Sequence, residues 1–100
     1  MNEITLASQY LALVRNGTKT TTIRRGHRVF ALGATTIRTP HGNAAVNITD
    51  VKHVRLNDLS PADAESDGFN SVAELRDALD SFYPRLKDDE PMTIVRFKLR

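Results

Sequence analysis

The sequence predicts an α+β fold: a small β-barrel of about five or six mostly antiparallel strands with two or three flanking helices. Three observations carry this expectation. Residues 6–16 and 72–82 repeat apolar side chains at the three- and four-residue spacing of one helical face. The segments between and after them are rich in β-branched residues, and the last one alternates apolar with basic positions. A chain of 100 residues makes one domain with one modest core, which a small barrel satisfies. The expected domain spans 1–100.

The elements follow in order. Leu6, Tyr10, Leu13 and Val14 form the first helical stripe, closed by Gly17 with Arg15 in the last turn. Thr18 to Arg24 reads as a strand. Val29 to Thr39 supplies one or two more, broken near Gly33, and Pro40-His41-Gly42-Asn43 is a turn. Ala44 to Leu59 is extended. Val46, Ile48, Val54 and Leu56 share one parity there, but Asp50 and Lys52 interrupt it, so a bulge is expected near Asp50. Ser60 caps a short helix with Pro61 at its first position, and Asp67-Gly68 ends it. Ser71 and Glu74 form a capping box before the stripe Val72, Leu75, Ala78, Leu79 and Phe82. Tyr83-Pro84 stops that helix. After a charged loop, Thr93 to Leu99 closes the fold, with Val95, Phe97 and Leu99 inward and Arg96, Lys98 and Arg100 outward.

Composition narrows the chemistry. Cysteine is absent, which excludes disulfides and thiolate metal sites and suits a reducing, cytoplasmic setting. No apolar run approaches the roughly 20 residues that cross a bilayer, so no membrane partner is expected. Met1-Asn2-Glu3 has no charged region followed by an apolar one, so no secretory leader is expected. His27, His41 and His53 show no ligand spacing, so no metal is expected. The net charge of +2 hides two halves. Residues 1–49 hold six basic residues and one acid, while residues 50–100 hold eight and eleven. A basic, hydroxyl-rich half suits phosphates and polar heterocycles.

The densest chemistry lies in Gly17-Thr18-Lys19-Thr20-Thr21-Thr22-Ile23-Arg24-Arg25-Gly26. A lysine at a barrel mouth loses solvent and gains basicity as a neutral amine. A nearby threonine hydroxyl can then be activated, or can orient a water, with a carboxylate placing the lysine. Positions 19 and 22 differ in parity, so they converge only if Lys19 sits in the turn before the strand or a bulge intervenes. The plainer alternative is a basic surface strand with solvated hydroxyls. Arg24, Arg25 and Arg28 fit either phosphate contacts or a cationic edge that resists aggregation. Phe30, Phe69 and Tyr83 are stacking candidates or core residues. The carboxylates Asp63, Glu65 and Asp67 gather before Gly68-Phe69.

Three blocks, in order, resemble the ASCH domain family and especially its smallest bacterial members. Gly17-Thr18-Lys19-Thr20-Thr21-Thr22-Ile23-Arg24 looks like the family's G-x-K-T-x-T-x-R signature. Asp63 to Phe69, running into Val72-Ala73-Glu74-Leu75, is similar to its acidic turn before the second helix. Phe82-Tyr83-Pro84 and the strand from Thr93 complete the match. The resemblance implies a PUA-like β-barrel that binds RNA or nucleotides beside the signature strand. One small bacterial relative is an amidohydrolase that removes the acetyl group from N4-acetylcytidine. Carried over by position, its catalytic set implies Lys19 as base, Thr22 as nucleophile or water-positioner and Asp67 as orienting carboxylate. Position 67 departs from the family's glutamate. The side chain is one methylene shorter, so a carboxylate about 1 Å short is expected, a misplacement that costs on the order of 100-fold in rate. Glu65 is a second carboxylate nearby. Thr20, Arg24, Arg25 and Glu65 complete the expected nucleic-acid or nucleoside contacts.

The expected function is therefore binding of RNA or a modified nucleoside, with amidohydrolysis of N4-acetylcytidine as its enzymatic form and no cofactor required. The alternatives are an ASCH-type ribonuclease and a non-catalytic interaction module whose acidic second half docks a basic partner.

Overall fold

A computed structural model describes residues 3–100. The N-terminal reading at Met1 and Asn2 lies outside the described residues. Five strands form one mixed sheet: β1 (Ile4–Thr5), β2 (Thr21–Arg25), β3 (Gly33–Thr39), β4 (Gly42–Arg55) and β5 (Pro91–Leu99). Their spatial order is β1-β3-β4-β5-β2, with β1 parallel to β3 and every other pairing antiparallel. The sheet curls into a half-barrel, leaving β1 and β2 as its two edges. Three helices accompany it: α1 (Leu11–Arg15), α2 (Pro61–Ser66) and α3 (Val72–Phe82). The small, mostly antiparallel α+β arrangement read from the sequence is the one observed.

The first helix is shorter than its stripe predicts. Ile4 is drawn into the sheet opposite Ile37, and the Leu6 N–H donates to the Arg38 carbonyl at 2.9 Å. Helical structure then begins only with a 3-10 turn at Ser8–Tyr10 before α1. The second strand is shorter too. Thr18 is held in a local turn by the Asn16 side chain, and Lys19 and Thr20 bond to Leu13 and Ser66 carbonyls, so β2 starts at Thr21. Residues 26–32 form a connecting loop, not a strand, and Gly33 opens β3.

The bulge expected near Asp50 is present as a register shift between Ile48 and Asp50. One extra residue reverses which parity faces which side. Val46 and Ile48 therefore join one apolar cluster with Ile4, Leu11, Ile37, Val95 and Phe97, while Val54 and Leu56, of the same parity, serve a second with Ile23, Leu75, Leu79, Met92 and Ile94. β5 is buried on both sides because it contributes to both clusters. Leu99, expected inward, is 45 % exposed. It is the last residue of β5 and, although paired with Val46, belongs to neither apolar cluster.

The later helices follow their capping signals. Ser60 Oγ accepts the Asp63 N–H and Asp63 returns the bond to the Ser60 N–H, with Pro61 in the first turn. Ser71 Oγ accepts the Glu74 N–H, which is one half of the expected box, since the return bond to the Ser71 N–H is not made among the described residues, and α3 occupies the predicted window. Gly68 follows α2 with a φ of +92°. A side chain there would also meet Leu13 at 3.4 Å and Lys19 at 3.6 Å. Those are ordinary contact distances, and it is the positive φ that favours glycine where the end of α2 meets Lys19.

Candidate functional site

The gap between the two sheet edges is spanned by a side chain. Arg24 Nη2, from β2, donates to the Thr5 carbonyl of β1 at 2.6 Å. Beside this bridge lies a cavity of about 250 Å³, whose lining includes Thr5, Tyr10, Lys19, Thr22, Arg24, Asp67, Phe69 and Phe82.

Its floor is a buried ion pair. Lys19 is 3 % exposed and Asp67 5 %. Lys19 Nζ lies 3.0 Å from Asp67 Oδ1 and also donates to the Asp67 carbonyl at 3.0 Å. Thr21 Oγ1 donates to the same Oδ1 at 3.0 Å. The pair is thus hydrogen-bonded as well as charged, the condition under which buried charges survive. The Asp67 carbonyl sits at the C-terminal end of α2, where a cation is favoured. Burial pushes the Lys19 ammonium below its usual range, partly offset by Asp67. Burial pushes the Asp67 carboxyl above its usual range, partly offset by Lys19, Thr21 and Arg24. Both displacements bring the neutral forms closer than they lie in water.

The walls are aromatic. Tyr10 stands edge-on to Phe69 at 6.3 Å between ring centroids and tilted to Phe82 at the same distance. Lys19 Nζ lies 5.1 Å from the Tyr10 centroid and 6.0 Å from that of Phe69. These faces attract the ammonium while shielding it from water.

The structure brings Lys19, Thr22, Asp67 and Arg24 to one cavity. The parity conflict between positions 19 and 22 resolves as the sequence required, because Lys19 precedes the strand. Asp67 reaches Lys19 despite its shorter side chain, since Gly68 lets α2 approach. The other expected residues lie outside the lining. Thr20 Oγ1 bonds to the Ser66 carbonyl, and Glu65 is exposed. Arg25 is held by Glu90 at 3.2 Å and by the Pro84 carbonyl. Glu90's carboxyl is lowered by the Lys87 backbone N–H first and by Arg25 second. Thr21, Tyr10 and Phe82 are site residues that the sequence did not single out as such. The histidines are less scattered than their spacing suggests. His27 and His53 stack at 4.5 Å, although no group of three metal-ligating side chains occurs among the described residues.

A family model described as ASCH domain matches residues 1–99. The chain belongs to the ASCH domain family. Solved structures agree on the fold. An ASCH domain from Lactobacillus crispatus aligns with a TM-score of 0.81 at 20 % identity, covering 98 % of this chain and 79 % of that one. The hypothetical protein PH0355 aligns at 0.76 and 17 % identity, covering 98 % and 97 %. A mutant ASCH protein from Zymomonas mobilis aligns at 0.69 and 18 % identity, covering 96 % and 66 %. No curated protein matches this ASCH domain in sequence. Among its described residues no helix is long and apolar enough to cross a membrane.

Proposed function

We propose that this ASCH domain binds one base of an RNA, or a modified nucleoside, in the cavity above the Lys19–Asp67 pair. The observation that carries this reading is a buried, hydrogen-bonded ion pair opening onto aromatic walls. A nucleobase has apolar faces and a polar edge. Tyr10, Phe69 and Phe82 suit the faces, while Lys19, Thr22 and Asp67 offer donors and acceptors to the edge. Arg24 stands at the seam as a cation for phosphate. The volume, about 250 Å³, lies just under the roughly 300–1,000 Å³ of drug-sized pockets, which suits a base with part of its sugar.

The test is titration with N4-acetylcytidine, cytidine and uridine, followed by calorimetry and amide NMR. At least one nucleoside should bind and shift Thr22, Asp67 and Phe69. Phe82 is 52 % exposed, so Phe82→Ala should spare the fold. It should weaken binding about fivefold or more, the scale of one lost base–aromatic contact. Shifts confined to residues remote from this cavity would overturn the reading.

The presence of Thr22 and Lys19 in the lining of one cavity favours a second, enzymatic reading: amidohydrolysis of N4-acetylcytidine. Burial makes the Lys19 proton easier to lose, and the amine so formed accepts a proton from Thr22 or from a water positioned by it. Oxygen attacks the acetyl carbonyl, the amide C–N bond breaks and the exocyclic nitrogen takes the proton. When water attacks, the products are cytidine and acetate directly; when Thr22 Oγ1 attacks, the acetyl group passes to Thr22 and a water then hydrolyses that ester to release acetate. Thr22→Val should abolish acetate release while nucleoside binding persists. Asp67→Glu should bring no gain, because Asp67 already reaches Lys19. Absence of acetate release with the nucleoside bound would leave the binding reading alone.

A further inference from the structure

We propose that a second cleft, formed by Arg28 and Phe30 on the far side of the Arg24 bridge, holds the nucleotide adjoining the bound base, so that the ligand is an RNA segment rather than a free nucleoside. The inference rests on the base-site reading of the first cavity. The second cleft has a volume of about 210 Å³ and is lined by Glu3, Ile4, Thr5, Arg24, Arg28 and Phe30. It shares Thr5 and Arg24 with the first cavity. Arg24 therefore stands between two hollows, where the phosphate linking two nucleosides would pass.

The chemistry of the second hollow fits that occupant. Phe30 is half-buried, packed against the core cluster and still lining the cleft, so it offers a supported aromatic face. Arg28 is exposed. Its Nε donates to the Arg25 carbonyl at 3.0 Å, and among the described residues its terminal nitrogens carry no bond, leaving them for a phosphate. The one acid of the cleft, Glu3, is engaged by Arg38 at 2.8 Å.

The loop that presents these residues is held in place. Thr93, fully buried in β5, donates through Oγ1 to the Gly26 carbonyl at 2.7 Å and accepts the Arg28 N–H at 2.8 Å. His53 Nε2 contacts the Arg28 carbonyl at 2.9 Å, and its ring stacks on His27. Such anchoring is costly to build for a segment that only connects two strands. It leaves little ordering entropy to be lost when a ligand lands there.

The test compares two probes by calorimetry: N4-acetylcytidine, and a trinucleotide with N4-acetylcytidine between two cytidines, which offers a neighbour on either side. The native protein should bind the trinucleotide about tenfold or more tightly. Arg28→Gln and Phe30→Leu should each remove most of that gain and leave nucleoside affinity unchanged, with circular dichroism checking the fold. Arg28→Gln should also reduce the slope of log K against log salt by about 0.7, the value for one single-strand phosphate contact. Equal binding of the two probes would overturn the second subsite and leave the base site standing. A trinucleotide preference untouched by both substitutions would overturn its assignment to this cleft. Binding of neither probe would overturn the base-site reading and this proposal with it.

Discussion

Replacing Lys19 by Met isolates what the buried pair contributes. Methionine keeps much of the stem's volume but removes the charge and two hydrogen bonds, to Asp67 Oδ1 and to the Asp67 carbonyl. Asp67 is left 5 % exposed in the native geometry, with only the Thr21 hydroxyl bonded to its Oδ1. Breaking one side of a buried pair costs about 3–5 kcal/mol. A domain of this size has about 5–15 kcal/mol in total. Each kcal/mol moves the melting midpoint by about 4–8 °C, so a fall of about 12 °C or more is expected at pH 7. The sign with pH follows from Asp67. Its folded pKa lies above the ordinary 3.8 with Lys19 present and rises further once the cation is gone. Protonated Asp67 carries no charge penalty, so the loss should be smallest below pH 3.8 and grow as pH rises through the folded pKa. Lys19→Met/Asp67→Asn removes both charges and keeps an acceptor for Thr21. It should recover about 2 kcal/mol of the loss at pH 7 and abolish the pH trend. Urea unfolding followed by circular dichroism at several pH values reads all three proteins. A single variant that loses under about 1 kcal/mol at pH 7, or a double variant no more stable than the single, would refute the reasoning.

Other outcomes follow from the same contacts. In the native protein the raised Asp67 contributes most below pH 3.8 and the lowered Lys19 most above 10.5. Stability should therefore pass through a broad minimum between those limits, read by thermal melts against the Lys19→Met/Asp67→Asn variant. Thr93→Val removes two hydrogen bonds to the Gly26–Arg28 loop. It should cost about 2 kcal/mol, and hydrogen exchange at Arg28 should accelerate. Arg24→Ala should weaken RNA binding at low salt more than Arg25→Ala, because Arg25 is already engaged by Glu90 and the Pro84 carbonyl; fluorescence anisotropy with a short single strand measures both.

The legible parts of this fold are those whose causes are local. α3 occupies its predicted window because its stripe, its Ser71 cap and the Tyr83-Pro84 stop all lie within a few residues. The bulge was readable because two charged residues break an otherwise regular alternation. What was not legible depends on distant partners. Nothing near Ile4 says that it pairs in parallel with Ile37, yet that pairing shortens the first helix. Within the site, Lys19, Thr22 and Asp67 stood out by residue type and by resemblance. Thr21 did not, because three consecutive threonines do not say which one faces the end of α2. Tyr10 and Phe82 sit in helical stripes, where an aromatic reads as core until the cavity between the helices is seen.

The location of the site follows from the sheet being left open. A closed barrel pairs every strand edge, whereas this one ends in β1 and β2 with backbone groups needing other partners. Arg24 satisfies one of them, the Thr5 carbonyl, with a side chain rather than a strand. A side-chain bridge is narrower than a ladder, so space remains on both sides of it. One space is lined by Tyr10 of the 3-10 turn, by α3 and by the end of α2, and it is there that the Lys19–Asp67 pair is shielded from water. The other is lined by Glu3 and β1 on one side and by Arg28 and Phe30 of the 26–32 loop on the other, with Arg24 between. The same half-closed geometry thus separates a more apolar hollow over the buried pair, which the proposed function fills with a heterocycle, from a more polar one, which the proposed second subsite fills with the adjoining nucleotide. Pairing β1 directly with β2 would fill the seam with backbone and leave room for neither.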